Sequence, residues 1–344
     1  MRSNLITIVL LNYNHSKLIP RAIDAIKNQT LKPYKLIIGD DASTDNSIEI
    51  INRNIEGFDW ITLKENKKNL GVIGNANELQ KSVTTKYFLS AAADDFLLPD
   101  YLERAEYLLN KFENVGMICA STLSFDKFKG SSGFYSSSIV SLKPKYFCPE
   151  SIKESFFRYG LFAKGATSIY KTDIMKSLKG FDKELGSYCD TYAAALISLK
   201  SGCIFDPCPG AVCERFKDGY ASSEMRDLNI IKNLINSLYS RKKYLTDPIY
   251  TILVTPMFIR YSYLTHLKIF NMTWPKKERP LPFTIVSKFL SLHTALVLNG
   301  KLRFFIKYKC SLILKLNEVI SKFTLRFRIE KYNNYILKIS REIC

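Results

Sequence analysis

The chain has 344 residues, 47% of them hydrophobic, with only 15 Gly and 12 Pro; it can bury a sizeable core, and collagen-like or disordered classes are excluded. The formal net charge is +18. About 22 Lys/Arg against about 6 Asp/Glu fall in residues 226–344, so the first two-thirds is near neutral and the tail calls for an anionic partner or surface.

Met1–Leu11 lacks a basic leader and is too short to span a bilayer, so no signal peptide is expected. Leu5–Leu11 is a short apolar run rich in β-branched residues, a strand buried on both faces. Apolar residues at helical spacing follow over Leu18–Asn28. Lys35–Gly39 is the second strand, and Ser47–Asn54 the next helix, capped by Thr44 or Asp45. Trp60–Leu63 is a strand, Gly74–Val83 a helix, Tyr87–Ala91 a strand, Pro99–Phe112 a helix and Val115–Thr122 a strand. Lys127–Ser141 reads as a loop or irregular hairpin. Then come a helix at Pro149–Tyr159, a strand at Gly165–Tyr170, a helix at Asp190–Ser201, and short strands at Cys203–Phe205 and Ala211–Cys213. Strand–helix alternation at this pitch predicts a mostly parallel sheet covered on both faces, with ligands at the carboxyl ends of its strands. After about Ser222 the alternation stops, and a helical tendency broken by prolines takes over.

The eight cysteines form no CxxC, and Cys203, Cys208 and Cys213 have no nearby histidine to complete a zinc site. They read as small buried residues of a reducing compartment. The three histidines, His15, His266 and His293, form no cluster in sequence.

Acidic residues close successive elements. Asp40-Asp41-Ala42-Ser43-Thr44-Asp45 follows the second strand, Asp94-Asp95 the fourth, and Asp190 opens an Ala-rich helix. Carboxylates at strand ends can accept from a nucleobase or ribose, hold a divalent cation, or take a proton from an attacking hydroxyl. The bland alternative for each is helix capping.

The ordered set Asn12-Tyr13-Asn14, Asp40–Asp45, Asn69-Leu70-Gly71, Ala93-Asp94-Asp95-Phe96 and a late Asp before a helix resembles family 2 glycosyltransferases of GT-A fold, over roughly residues 4–222. The resemblance implies a Rossmann-like α/β fold, helices on both faces of the sheet, and inverting sugar transfer from a nucleotide-diphosphate donor, a UDP-sugar first. Tyr13 would lie against the base, and stacking of that kind contributes about 1–3 kcal/mol. Asp41 would accept from the base N–H, with Asp40 supporting its loop. Asn69, Gly71 and Asn77 would flank the nucleotide, Asp94 would take the ribose or share the metal site, and Arg215 would help hold the diphosphate. Asp95 would bind the divalent cation, Mn²⁺ or Mg²⁺, that neutralises the leaving diphosphate. Asp190 would be the catalytic base, deprotonating a hydroxyl of a saccharide or lipid-linked acceptor.

Two positions depart from the family pattern. Ala92 stands where the first Asp of D-x-D-D is expected, and Cys189 where an acidic residue often precedes the base. They keep a catalytically inactive GT-A module open as an alternative. The division expected is a catalytic domain at 1–222 and a basic, mainly helical region at 223–344. In the latter, Leu281–Leu298 is too interrupted to span a bilayer, while Leu302–Leu316 and Val319–Ile329 fit helices lying in the headgroup plane. Membrane association, acceptor binding and homo-oligomerisation stay open for this region. The implied location is cytoplasmic or peripheral on the inner face of the cell membrane. Nucleic acid binding through the tail is the competing class; no RNA-binding motif accompanies the charge.

Overall fold

The computed structural model describes residues 2–112, 114–126, 131–134, 140–159, 161–163, 165–215, 219–224, 226–241 and 253. The three tail segments singled out above, His266, His293, Cys310 and Cys344 lie outside the described residues.

The order is β1 (Ile6–Asn12), α1 (Ile19–Lys27), β2 (Lys35–Asp40), α2 (Ser47–Ile55), β3 (Ile61–Glu65), α3 (Val72–Gln80), β4 (Tyr87–Ala92), β5 (Asp95–Leu97), α4 (Tyr101–Lys111) and β6 (Met117–Asp126). It continues with β7 (Ser131–Phe134), β8 (Lys145–Phe147), α5 (Pro149–Tyr159), a 3-10 turn at Gly165–Thr167, β9 (Ile169–Lys171), α6 (Thr172–Ser177), a 3-10 segment at Lys183–Tyr188, α7 (Cys189–Ser201), β10 (Cys203–Arg215), α8 (Tyr220–Glu224) and α9 (Leu228–Ser240). One mixed sheet runs β3-β2-β1-β4-β9-β6-β10-β5, with β7 added to β6 and β8 to β10. The pairs β3–β2, β2–β1, β1–β4 and β6–β10 are parallel.

Period-two alternation divides the core between the sheet's faces. Ile6, Ile8 and Leu10 of β1, with Leu36 and Ile38 of β2, pack with α1, α2 and α4. Val9 and Ile37 face the other way, into the cluster that holds α3, α7 and α9. The run Ile6–Leu11 is apolar but for Thr7 because both faces are covered. That second cluster runs past residue 222: Ile231, Leu234, Ile235, Leu238 and Leu253 all belong to it.

Two readings of the sequence are corrected. Cys203–Phe205 and Ala211–Cys213 are one strand, bent by register shifts around Asp206 and Pro209. Arg104 holds the bend, donating from Nε to Asp206 (2.9 Å) and from Nη2 to the Pro209 carbonyl (2.9 Å). Gly165–Thr167 is a 3-10 turn, and only Ile169–Lys171 is strand. Asp95–Leu97, assigned to no element in the sequence, is a short antiparallel strand on β10. Asp126 and Ser131 end paired antiparallel strands, in keeping with the irregular hairpin read at the start of Lys127–Ser141.

Candidate active site

Parallel pairing fixes which residues share an edge. Asn12 is opposite Asp40 across β1–β2, and Leu11 is opposite Ala92 across β1–β4. Strands lie about 4.8 Å apart. Tyr13, Asp41 and Asp94 therefore follow the carboxyl ends of three adjacent strands.

The Asp40–Asp45 loop is held by its own carboxylates. Asp40 is fully buried; it accepts from the Ser43 backbone N–H (2.8 Å), the Ser43 hydroxyl (2.7 Å) and Asn12 Nδ2 (2.7 Å). Ala42 sits at φ 61°, a left-handed turn that those bonds enforce. Asp45 accepts from the N–H groups of Ser16 (3.0 Å) and Ser47 (2.9 Å), closing the first loop onto α2. Burial opposes its ionisation, but hydrogen bonds from Ser47 and Ser16 outweigh it and bring the carboxyl down to about 2.

Asp41 is also buried, and its Oδ1 accepts from Asn66 Nδ2 (2.8 Å) and the Leu70 N–H (2.9 Å). One oxygen thus fixes the loop before α3, and the other has no hydrogen-bond partner among the described residues. Asn69 accepts from Gly71 N–H (2.8 Å), and Gly71, at φ 74°, opens α3. Tyr13 stands 43% exposed beside this loop system, its ring uncovered.

The side chain of Asn77 is held at both ends. Its Nδ2 donates to the Phe181 carbonyl (2.8 Å) and its Oδ1 accepts from the Phe181 N–H (2.8 Å), so both ends of the amide clamp the turn after α6. The α3 amide that reaches the strand ends is Asn75, which donates to the Gly39 carbonyl (2.8 Å) and accepts from Asn66 (3.1 Å). The backbone of Arg215 ends β10, opposite Asp126; its side chain is outside the described residues.

Asp94 and Asp95 occupy the turn between β4 and β5. Burial raises the Asp94 carboxyl, Glu214 adds to the effect, and His15 and Arg21 act against it. Burial first, then the neighbouring Asp94, holds Asp95 well above the usual carboxylate range, although the Glu214 N–H and the Cys213 thiol donate to it. Two partly buried carboxylates that repel one another suit a hard divalent cation, whose charge would reverse both effects. Among the described residues, no three His, Cys, Asp or Glu side chains could hold a metal unaided. The remaining ligands would be diphosphate oxygens and water, the usual manner for Mg²⁺.

Arg21, Glu214 and His15 were not among the residues singled out in the sequence. Arg21 of α1 pairs with Glu214 of β10, donates to the Asp94 carbonyl (3.0 Å) and lies over the Phe96 ring (4.5 Å). A lone charge in the apolar run Ala211-Val212-Cys213-Glu214 is the one signal that could have flagged the pair.

Asp190 begins α7, and its Oδ1 accepts from the Thr191 N–H (2.5 Å). Its Oδ2 is so close to Gly165 that a Cβ there would collide with it. The next residue, Ala166, lines a small cavity with Asp95 and Phe96. The Gly165–Thr167 turn thus lies between Asp190 and the Asp94–Asp95 turn. Burial first, then the Asp190 charge, raises the Cys189 thiol and the Tyr188 phenol. Glu224 of α8 accepts from the Ser187 N–H (2.7 Å), and Arg241, just after α9, donates to Asp182 (2.6 Å) and Glu184 (2.8 Å). The segment leading into Asp190 is thereby held from its C-terminal side.

The family model for glycosyl transferase family 2 matches residues 7–163. The teichoic acid poly(glycerol phosphate) polymerase of Staphylococcus epidermidis is 25% identical over 313 residues, 87% of this chain and 41% of that protein. Two solved structures share the fold. S. aureus TarS 1–349 in complex with UDP-GlcNAc has TM-score 0.59 and 13% identity, over 95% of this chain and 92% of that one. Mannosyltransferase PcManGT from Pyrobaculum calidifontis, in complex with GDP-Man and Mn²⁺, has TM-score 0.55 and 18% identity, over 93% and 87%. The chain spans less than half the length of the first curated relatives it matches. No helix among the described residues is long and apolar enough to cross a membrane.

Proposed function

Starting from a chain whose residues 7–163 match the glycosyl transferase family 2 model, we propose that it moves a sugar from a nucleotide-diphosphate donor to an acceptor hydroxyl, with inversion, in the assembly of a surface polysaccharide or glycolipid. The observation that carries this reading is the shared edge: Tyr13, Asp41 and the Asp94–Asp95 turn follow neighbouring strands, with Asp190 across one short turn.

Each residue then has one task. Tyr13 offers an exposed ring to the base. Asp41 uses one oxygen to hold its loop and turns the other to a base N–H. Asn69 and Gly71 set the start of α3 beside the nucleotide. Asp94 takes the ribose or the cation, Asp95 binds the cation, and Arg215 assists at the diphosphate. A divalent ion, when bound, neutralises charge developing on the leaving diphosphate. Asp190 takes the acceptor proton as the hydroxyl oxygen attacks the anomeric carbon opposite the leaving group. One displacement inverts configuration, so a single base suffices.

A UDP-sugar is the first donor to try, on the analogy of TarS with UDP-GlcNAc; the GDP-Man bound by PcManGT makes GDP-sugars the second. The similarity to a teichoic acid polymerase favours an acceptor that is a cell-surface polymer or its lipid-linked precursor. The test is thermal stabilisation by a panel of nucleotide sugars, with and without Mn²⁺ or Mg²⁺, followed by hydrolysis of the best donor. A raised melting temperature with one nucleotide class, enhanced by metal, is expected. No stabilisation by any nucleotide or nucleotide sugar would reject the reading.

A further inference from the structure

The pairing of Arg21 with Glu214 has a consequence for the aspartates beside it. Arg21 carries five donors in a rigid fork and cannot be deprotonated. Its side chain is 13% exposed and that of Glu214 is 2% exposed. One arm of the fork meets Glu214, another the Asp94 carbonyl, and Nε is buried with no partner among the described residues. The guanidinium is therefore only partly satisfied, and it acts electrostatically on both Asp94 and Asp95. A buried guanidinium deprived of its carboxylate turns to the next one within reach, because bidentate carboxylate pairing is the strongest arrangement open to it. Here the next ones are Asp94 and Asp95.

We propose that Glu214 is a guard for the Asp94–Asp95 pair: by engaging Arg21 it keeps that cation off the two carboxylates and leaves them open to a divalent ion. The proposal rests on the reading of Asp94–Asp95 as the cation site. Both members of the pair are positioning residues. Arg21 also steadies the turn through the Asp94 carbonyl and the Phe96 ring, while the Glu214 backbone N–H supports Asp95. Glu214 thus acts on metal affinity through Arg21, without being a ligand.

The test measures Mn²⁺ binding to the full chain by electron paramagnetic resonance of the free ion, with UDP present, and follows folding by thermal melts. Wild type is expected to bind Mn²⁺. Glu214→Gln releases Arg21 onto the aspartates and is expected to weaken Mn²⁺ binding about tenfold, although no ligand has been removed. The double variant Arg21→Met, Glu214→Gln removes the intruding cation with the guard and is expected to restore affinity to within about threefold of wild type. A merely structural role gives no such rescue. Unchanged binding in Glu214→Gln, or a double variant as weak as that single one, overturns the proposal. Should Glu214→Gln fail to fold, the double variant decides alone: binding about tenfold below wild type would make Glu214 a direct contributor and end the guard role. Absence of Mn²⁺ binding in wild type would instead sink the metal reading itself, and this inference with it.

Discussion

Asp190 and Asp45 are both carboxylates near a helix start, and the proposal gives them opposite uses. Asp45 is spent on two backbone N–H groups that close the first loop onto α2. Its folded-state pKa of about 2 lies below the ordinary 3.8. Its contribution to stability is therefore fully present above pH 3.8 and disappears as pH falls through 2. Asp45→Ala should melt below wild type at pH 7, and the gap should narrow between pH 4 and pH 2 in paired melting curves. A gap that persists unchanged at pH 2 would show that hydrogen bonds to the carboxylate are not its source. Asp190, whose Oδ1 accepts from the Thr191 N–H and hydroxyl of its own helix, is the proposed base. Asp190→Asn should cut kcat by at least about a hundredfold, within the range of general-base losses, while donor Kd stays near wild type. Loss of donor binding instead would move Asp190 from the chemistry to the nucleotide. At this scale the sequence was informative for short acidic motifs, because strand ends place them on one edge. It was silent at α3 on the partners of Asn75 and Asn77, two residues apart on one helix: their tertiary contacts, Gly39 for one and Phe181 for the other, are not local signals.

At the scale of elements, the approach to Asp190 depends on two neighbours that arrive from distant parts of the chain. The Gly165–Thr167 turn has no room for a side chain at its first position, since a Cβ would meet the Asp190 carboxylate. Gly165→Ala should therefore displace the base while leaving Tyr13 and Asp41 untouched. The expected readout is a kcat reduced about tenfold or more with donor KM unchanged; a fall in donor affinity alone would count against it. On the opposite side, Arg241 pins the Lys183–Tyr188 segment through Asp182 and Glu184, with its own side chain 14% exposed. Glu184 is 70% exposed, so its pairing contributes no more than the ~0–1 kcal/mol of a surface ion pair. Strand and helix identities along the first half were legible because apolar runs and helical spacing are local signals. The bend in β10 and the short β5 were not. The bend is imposed by Arg104 and Asp206, 102 residues apart, and β5 exists only because β10 offers it an edge.

Across the whole molecule, charge and core disagree about where the catalytic unit stops. The division at residue 222 followed the end of strand–helix alternation, yet Ile231, Leu234, Leu238 and Leu253 are buried in the same cluster as α7, and the Tyr188 hydroxyl donates to the Leu253 carbonyl (3.0 Å). Removing everything after 222 would thus strip core from beneath Asp190, and a truncation could not separate membrane affinity from folding. Charge reversal in the full chain does separate them. With a net charge of +18 concentrated after residue 226, the chain should bind vesicles containing phosphatidylglycerol and ignore purely phosphatidylcholine ones. Each basic residue at the surface contributes about 1 kcal/mol, so replacing Lys301, Arg303, Lys307 and Lys309 by Glu should abolish co-sedimentation. Raising the salt to about 1 M, where the screening length falls to about 3 Å, should do the same for wild type. Equal binding to neutral vesicles would assign the attraction to apolar insertion. Failure to bind either kind, with donor turnover intact on a soluble acceptor, would leave the tail's charge to another partner and remove the membrane from the reading altogether.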